Sequence, residues 1–211
     1  MTDQLATAMA DLEESTVLNL VRQRLDAGDN PMAILTSCRE GMTQVGKRFE
    51  ACEYFISELI MAAEIFKQAM AILNPRLKTD VFASRGKVVI GTVKGDIHDI
   101  GKDIVVSLLK AANYDVRDLG VDVPPEKVVD AVKESGATVV GLSGLLTIAF
   151  DSMKETVAAL AAAGLRSRVK VMIGGGSVSE TVQQYAGADA WGTDAQAAVS
   201  LCNQWIKEVP K

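Results

Sequence analysis

The chain has 211 residues, of which 48% are hydrophobic and 23% charged, and its formal net charge is −5 at pH 7; this is the balance of a globular protein with apolar material for one large core or two small ones. The positive charges are scattered through an acidic chain, which removes nucleic acid from the expected partners. No apolar run approaches the roughly 20 residues of a membrane span, and Met1-Thr2-Asp3-Gln4 has neither a basic start nor a signal-peptide core, so the expected location is the cytoplasm.

Residues 1 to about 74 read as helix throughout. A short opening helix around Asp3 to Asp11 precedes the apolar stripe Val17, Leu18, Leu20, Val21 and Leu25, which stops at Gly28-Asp29. Asn30-Pro31 is an N-cap followed by proline at the first helical position. The next stripe is Ile34, Leu35, Cys38, Met42, Val45 and Phe49, and the last runs from Phe55 and Ile56 to Leu73, before Asn74-Pro75. Short connections between about four such helices predict an antiparallel four-helix bundle. Asn74 to Gly86, with Pro75 and Ser84-Arg85-Gly86, is the expected linker, so the domains are expected at residues 1–80 and 81–211.

From Lys87 onward, strands alternate with helices. The expected strands are Lys87 to Val93, Tyr114 to Leu119, Thr138 to Leu142, Val169 to Ile173 and Ala188 to Trp191. The first following helix should turn Ile100, Ile104, Val105, Leu108 and Leu109 to one face. Later helices are expected from Pro125, over Phe150 to Ala163, over Ser179 to Tyr185, and over Asp194 to Lys207. Five such units predict an α/β domain, a flavodoxin-like (Rossmann-like) five-stranded parallel sheet with helices on both faces. In strand order 2-1-3-4-5 the ligand crevice lies between the loops after strands one and three, here the His98 loop and Ser143-Gly144-Leu145-Leu146-Thr147.

The loop after strand one, Lys94-Gly95-Asp96-Ile97-His98-Asp99-Ile100-Gly101, carries the only histidine of the chain. It is not a P-loop, because five residues separate Gly95 from Gly101 and Asp103 follows Lys102. It has no GxGxxG, no hydroxyl residues to hold a flavin phosphate, and strand three ends at Ser143 where a phosphoacceptor receiver has aspartate. It does offer a histidine with a carboxylate two residues before it, a pairing that fixes an imidazole tautomer for metal ligation. The plain alternative is a helix entry, with Asp99 as N-cap and His98 solvated. One histidine cannot hold a bare metal ion, so a metal there arrives with its other ligands attached, as in a macrocycle. Gly174-Gly175-Gly176 removes side chains where something bulky can approach the backbone, or is a turn. Cys38, Cys52 and Cys202 lie on helical patterns without a CxxC pair and read as small buried hydrophobes.

Asp96-Ile97-His98-Asp99-Ile100-Gly101, Ser143-Gly144-Leu145 and Gly174-Gly175, in that order, resemble the DxHxxG, SxL and GG signature of base-off/His-on cobalamin-binding domains. Val45-Gly46-Lys47-Arg48-Phe49-Glu50 and Tyr54-Phe55-Ile56-Ser57-Glu58-Leu59 resemble the helical cap that precedes such a domain in methionine synthase. The likeness covers nearly the whole chain and is greatest to the free-standing corrinoid proteins of anaerobic methyltransferase systems.

The resemblance implies that His98 is the lower axial ligand of cobalt and that Asp96 bonds its other nitrogen. It implies that the displaced nucleotide tail lies in a slot past Asp99, Ile100, Gly101, Ser143, Leu145 and Gly174-Gly175. Thr147 matches a threonine beside the tail, Phe49 an aromatic over the upper corrin face, and Ile56 a leucine. A serine that completes a proton relay in methionine synthase is Ala149 here, so the relay is cut short and Asp96 is expected to meet water. The implied function is a methyl carrier, not a catalyst by itself, whose cofactor is cobalamin or a related corrinoid. Its implied partners are a substrate-specific methyltransferase, an acceptor methyltransferase using tetrahydrofolate or a thiol, and a reductive activator of cobalt. Two other classes remain: the cobalamin subunit of an adenosylcobalamin mutase, which shares DxHxxG, and a cobalamin sensor module.

Overall fold

The structure, a computed structural model, describes residues 3–77, 84–192 and 194–208, and the chain divides into two compact units, Met1–Ala83 and Ser84–Lys211. Residues 78–83 of the expected linker lie outside the described residues.

The first unit is helical: α1 (Gln4–Ala10), α2 (Glu14–Asp26), α3 (Pro31–Glu50) and α4 (Ile56–Leu73), followed by one 3-10 turn, Asn74–Arg76. Asn30 caps α3 as expected, its side chain accepting from the Met32 N–H with Pro31 at the first position, and Asp3 does the same for α1 through Leu5. Leu5, Met9, Val17, Val21, Ile34, Leu35, Leu59 and Ile65 form the interior. Gly41 lets α3 lie against α1, because a Cβ there would stand 2.4 Å from Met9 Cβ. Arg48 ties the ends of α1 and α3 together, donating to the Ala10 carbonyl and the Tyr54 hydroxyl and pairing with Asp11. The amino-terminal half of α4 buries only part of its apolar surface: Phe55, Ile56, Ile60 and Met61 are exposed. Cys52 is also exposed, in a left-handed turn after α3 at φ 59°. The expectation of three buried thiols therefore fails at Cys52, because α3 has ended before that residue; Cys38 and Cys202 are buried.

The second unit is a parallel sheet in the order β2-β1-β3-β4-β5, as the pattern of five βα units predicts. Its elements are β1 (Lys87–Thr92), α5 (Ile100–Ala111), β2 (Asp115–Asp118), α6 (Pro125–Ser135), β3 (Val139–Ser143), α7 (Ala149–Ala162), β4 (Lys170–Gly174), α8 (Glu180–Ala186), β5 (Ala190–Gly192) and α9 (Ala195–Glu208). Bounds differ from the sequence expectation by one or two residues, the usual uncertainty of element ends. Val88, Val89, Val139, Val140, Val171 and Ile173 are buried, as befits strands covered on both faces. Register decides where the site falls. Thr92 pairs with Ser143, Ser143 with Gly174 and Gly174 with Gly192, so four strands end at one level and their following loops meet along one rim.

Candidate cofactor site

Beyond Thr92 the β1 chain turns at Gly95, whose φ of 82° is open to glycine at little cost. The chain then enters α5 through Asp96, Ile97, His98 and Asp99. Thr92 is buried, and its Oγ1 reaches forward to donate to the His98 carbonyl at 2.9 Å. On the β2 side, Asp122 accepts the Gly95 N–H at 2.8 Å and gives its own N–H to the Asp96 carbonyl at 3.0 Å. Asp99 stands at the N-cap position of α5 but makes no side-chain cap bond. Of the two readings of this loop, the helix entry with Asp99 as cap lacks its defining bond.

Asp96 has no exposed surface. Its Oδ1 accepts from the His98 N–H at 3.0 Å and the His98 ring Nδ1 at 2.7 Å. Its Oδ2 accepts from the Leu145 and Leu146 N–H groups at 2.6 and 3.0 Å. Burial alone would raise the Asp96 pKa, but the bonds from Leu146, His98 and Leu145 outweigh it and hold the carboxyl well below the ordinary carboxylate range. An ionised carboxylate can only accept. The proton between the two side chains therefore sits on His98 Nδ1, and in the neutral ring Nε2 keeps the lone pair. The His98 side chain is 49% exposed, so that nitrogen belongs to a ring open to a ligand, in the tautomer that metal ligation requires.

The same carboxylate joins the two loops that flank the switch point of the sheet, one after β1 and one after β3. The loop after β3 is held from its far side too: the Ser177 hydroxyl donates to the Leu145 carbonyl, and the Gly144 N–H donates to the Gly174 carbonyl at 3.0 Å. A Cβ on Gly175 would lie 1.9 Å from the Gly144 oxygen, and its φ is 138°. The bulky group that approaches Gly175 in this structure is thus the backbone of the neighbouring loop. Gly101, by contrast, has nothing within 4 Å of where a Cβ would stand, and its bare face opens to solvent.

The residues singled out in the sequence fall into two sets. Asp96, His98, Asp99, Ile100, Gly101, Ser143, Leu145, Thr147, Gly174 and Gly175 all lie at the carboxyl ends of β1, β3 and β4. Phe49, in the last turn of α3, and Ile56, which opens α4, belong to the helical unit; Phe49 is half-buried and Ile56 exposed. Two expectations are corrected. Ile100 does not join the buried face of α5 but is 70% exposed; Ile104, Leu108 and Leu109 face inward as expected, and Val106 is buried where Val105, half-buried, was expected. Asp96 does not meet water: its oxygens are taken by His98, Leu145 and Leu146, and Ala149 is itself buried. Sequence reasoning missed Thr92, Asp122 and the Leu146 N–H. Thr92 carried a signal, a hydroxyl ending an apolar strand, whereas Asp122 carried none.

On the loops after β1 and β3 and at the start of α5, the apolar side chains Ile97, Ile100, Leu145, Leu146 and Ile148 are exposed. A parallel α/β domain with an aspartate-oriented imidazole at its switch point and exposed apolar side chains on the same loops is the class of protein that binds a cofactor at the carboxyl ends of its strands, here one able to take a nitrogen ligand and to cover apolar surface. The donor set fits such a group: one nitrogen ligand, open space at Gly101 and an apolar border. Among the described residues, no three His, Cys, Asp or Glu side chains gather to hold a bare metal ion.

Comparison with known proteins agrees. A family model described as a B12 binding domain matches residues 86–200, and a second so described matches residues 1–74. The chain is 37% identical over 206 residues to a corrinoid protein of Desulfitobacterium hafniense (strain Y51), covering 96% of this chain and 95% of that one. It is 34% identical over 204 residues to the dimethylamine corrinoid protein of Methanosarcina barkeri, covering 96% of each. Among solved structures it is similar to a cobalamin-binding protein from Desulfitobacterium hafniense DCB-2, with 46% identity, TM-score 0.74 and coverage of 95% and 96%. It is also similar to a chain of the methanol:cobalamin methyltransferase complex from Methanosarcina barkeri, with 26% identity, TM-score 0.84 and coverage of 98% and 80%. The chain belongs to the B12-binding corrinoid proteins, and its cofactor is cobalamin or a related corrinoid, with cobalt at its centre.

Proposed function

We propose that this corrinoid protein holds its cofactor base-off/His-on and carries a methyl group between two methyltransferases, one that takes it from a substrate and one that passes it to tetrahydrofolate or a thiol. When bound, the corrinoid supplies a cobalt centre that can accept a methyl group and give it up, chemistry that belongs to the cofactor. The observation that carries the reading is the His98–Asp96 pair: a buried carboxylate, fixed by two backbone N–H groups of the β3 loop, holds the imidazole by Nδ1 and leaves Nε2 for the metal. Gly101 leaves room for the displaced nucleotide tail, and Ile97, Ile100, Leu145 and Leu146 offer apolar cover to the corrin. Within the sheet unit, Thr147 is assigned to line the tail, and Ser143, Gly174 and Gly175 to the slot floor.

The comparisons support the first of the partners. The relative from the methanol:cobalamin methyltransferase complex is solved as part of that complex, and other relatives carry dimethylamine or trimethylamine in their names. A substrate-specific methyltransferase is therefore the expected first partner, with an acceptor methyltransferase and a reductive activator of cobalt completing the set. The cap region, matched by its own B12-binding model over residues 1–74, favours this reading over a mutase subunit, and likeness to corrinoid proteins over nearly the whole chain favours it over a sensor.

The test is the visible spectrum of the protein reconstituted with methylcobalamin, beside that of His98→Ala. A His-ligated spectrum in the wild type and a base-off spectrum in the variant are expected. Identical spectra would remove His98 as the axial ligand, and failure of the wild type to retain any corrinoid would overturn the whole reading.

A further inference from the structure

We propose that Asp122, on the loop after β2, is a positioning residue for the axial histidine; the proposal rests on His98 being the cobalt ligand. Asp122 does two things at once. Its carboxylate Oδ1 accepts the Gly95 N–H at 2.8 Å, and its main-chain N–H donates to the Asp96 carbonyl at 3.0 Å. It makes both contacts from a left-handed backbone, φ 50°, a conformation that aspartate and asparagine adopt more readily than other side-chain-bearing residues. The flanking residues continue the contact: the Val123 N–H donates to the Thr92 carbonyl at 3.0 Å, the Thr92 N–H to the Gly120 carbonyl at 3.0 Å, and Val93 bridges to Val123. Regular pairing of β1 with β2 stops at Ile90 and Asp118, so this loop-to-loop clip extends the contact through Thr92, Val93 and Gly95 to Asp96, nearer the histidine.

The His98 segment is consequently gripped from both neighbours. The β3 side holds it through the Asp96 carboxylate, which receives Leu145 and Leu146, and the β2 side holds it through the main chain of Gly95 and Asp96. A loop free to wander must be ordered each time Nε2 meets the metal, and that ordering subtracts from the strength of ligation. Gripping the segment beforehand removes this cost. Asp122 touches neither the ring nor its free nitrogen; it acts through the position of Asp96.

Three substitutions separate the parts. Asp122→Asn keeps both the acceptor and the tolerance for a left-handed backbone, Asp122→Gly keeps the backbone alone, and Asp122→Ala keeps neither. Each is loaded with methylcobalamin, and the ratio of His-on to base-off forms is read from the visible spectrum; amide exchange of Gly95 is followed in the unloaded protein. Asp122→Asn is expected to match wild type. Asp122→Gly should lower the His-on to base-off ratio about fivefold, as the loss of one ordinary hydrogen bond would, with faster Gly95 exchange. Asp122→Ala should do at least as much. If Asp122→Gly shifts the melting temperature but leaves the spectrum unchanged while His98→Ala alters it, the positioning role is refuted and the axial role stands. If neither variant alters the spectrum, both fall together.

Discussion

Replacing Asp96 by asparagine removes one acceptor atom from a site that uses two. Oδ1 serves the His98 N–H and ring, and Oδ2 serves the N–H groups of Leu145 and Leu146. An amide has a single carbonyl oxygen, so one pair of donors must face an NH2 group. If the oxygen turns to the β3 loop, the NH2 can be accepted by His98 Nδ1 only when the ring proton moves to Nε2, and the ligand lone pair is lost. If the oxygen turns to His98, the tautomer survives but Leu145 and Leu146 are left without an acceptor. Each stranded buried donor costs about 1–3 kcal/mol, and with relaxation at a loop a total of about 2–4 kcal/mol is expected. At a urea dependence of roughly 2 kcal/mol per molar, the unfolding midpoint should fall by about 1–2 M. Both tryptophans, Trp191 and Trp205, lie in β5 and α9 of the sheet unit, so their fluorescence follows that unit. The loaded variant should also lose much of its His-on spectrum. A midpoint within about 0.2 M of wild type, together with an unchanged His-on spectrum, would refute the claim that this carboxylate holds both loops.

Gly101→Ala should separate cofactor binding from stability. Its added methyl meets nothing and raises helix propensity in α5 by up to about 1 kcal/mol, so the unloaded protein should be as stable as wild type or more so, while corrinoid affinity measured by absorbance titration should drop if the tail passes this point. Unchanged affinity would move the slot elsewhere. Alkaline stability should follow Cys202, whose buried thiol is pushed up to about 12 by desolvation. An unfolded thiol ionises near pH 8.5, so the contribution is complete below that pH and is lost as pH rises toward the folded value. The slope is roughly 1 kcal/mol per pH unit. Cys202→Ala should flatten this loss between pH 8 and 10 in tryptophan-monitored unfolding, and a slope equal to wild type would show that the thiol is not its source.

The elements were legible because their cause is local. Strands β1, β3 and β4 are apolar runs bounded by turn residues, and Asn30-Pro31 writes the start of α3 into two adjacent residues. The order of the sheet is the usual one for five βα units rather than one that their residues dictate, and the structure has it. The His98–Asp96 pair was visible as a spacing, since residues two apart on an extended segment share a side. What could not be read was which partners would complete the carboxylate. Those partners are backbone N–H groups about fifty residues away, at Leu145 and Leu146, and every residue but proline has one. The same blindness explains Asp122, a surface aspartate whose importance lies in its φ and in the Gly95 N–H opposite. Gly175 was noticed but assigned to a ligand, because nothing local says that the Gly144 carbonyl will occupy the space. Ile100 was assigned to the helix's inner stripe by periodicity alone, although it is the first residue of α5 and the chain has not yet turned onto the sheet there.

The polar and apolar parts of the site are built to opposite rules. Every polar contact that orients His98 is already made: Thr92 holds its carbonyl, Asp96 its N–H and Nδ1, and the β3 loop holds Asp96. The apolar side chains of the loops after β1 and β3 and of the start of α5, Ile97, Ile100, Leu145, Leu146 and Ile148, are left exposed. Full burial of a side chain of this size contributes about 1.5–3 kcal/mol, so covering even part of that rim supplies several kcal/mol of binding without moving the imidazole. Pre-formed hydrogen bonds cannot be improved by a ligand, whereas uncovered isoleucine and leucine can. If His98 is the axial ligand, as proposed, its direction would be set by the protein's own hydrogen bonds and affinity would come from apolar cover of the cofactor, so that one histidine would be enough.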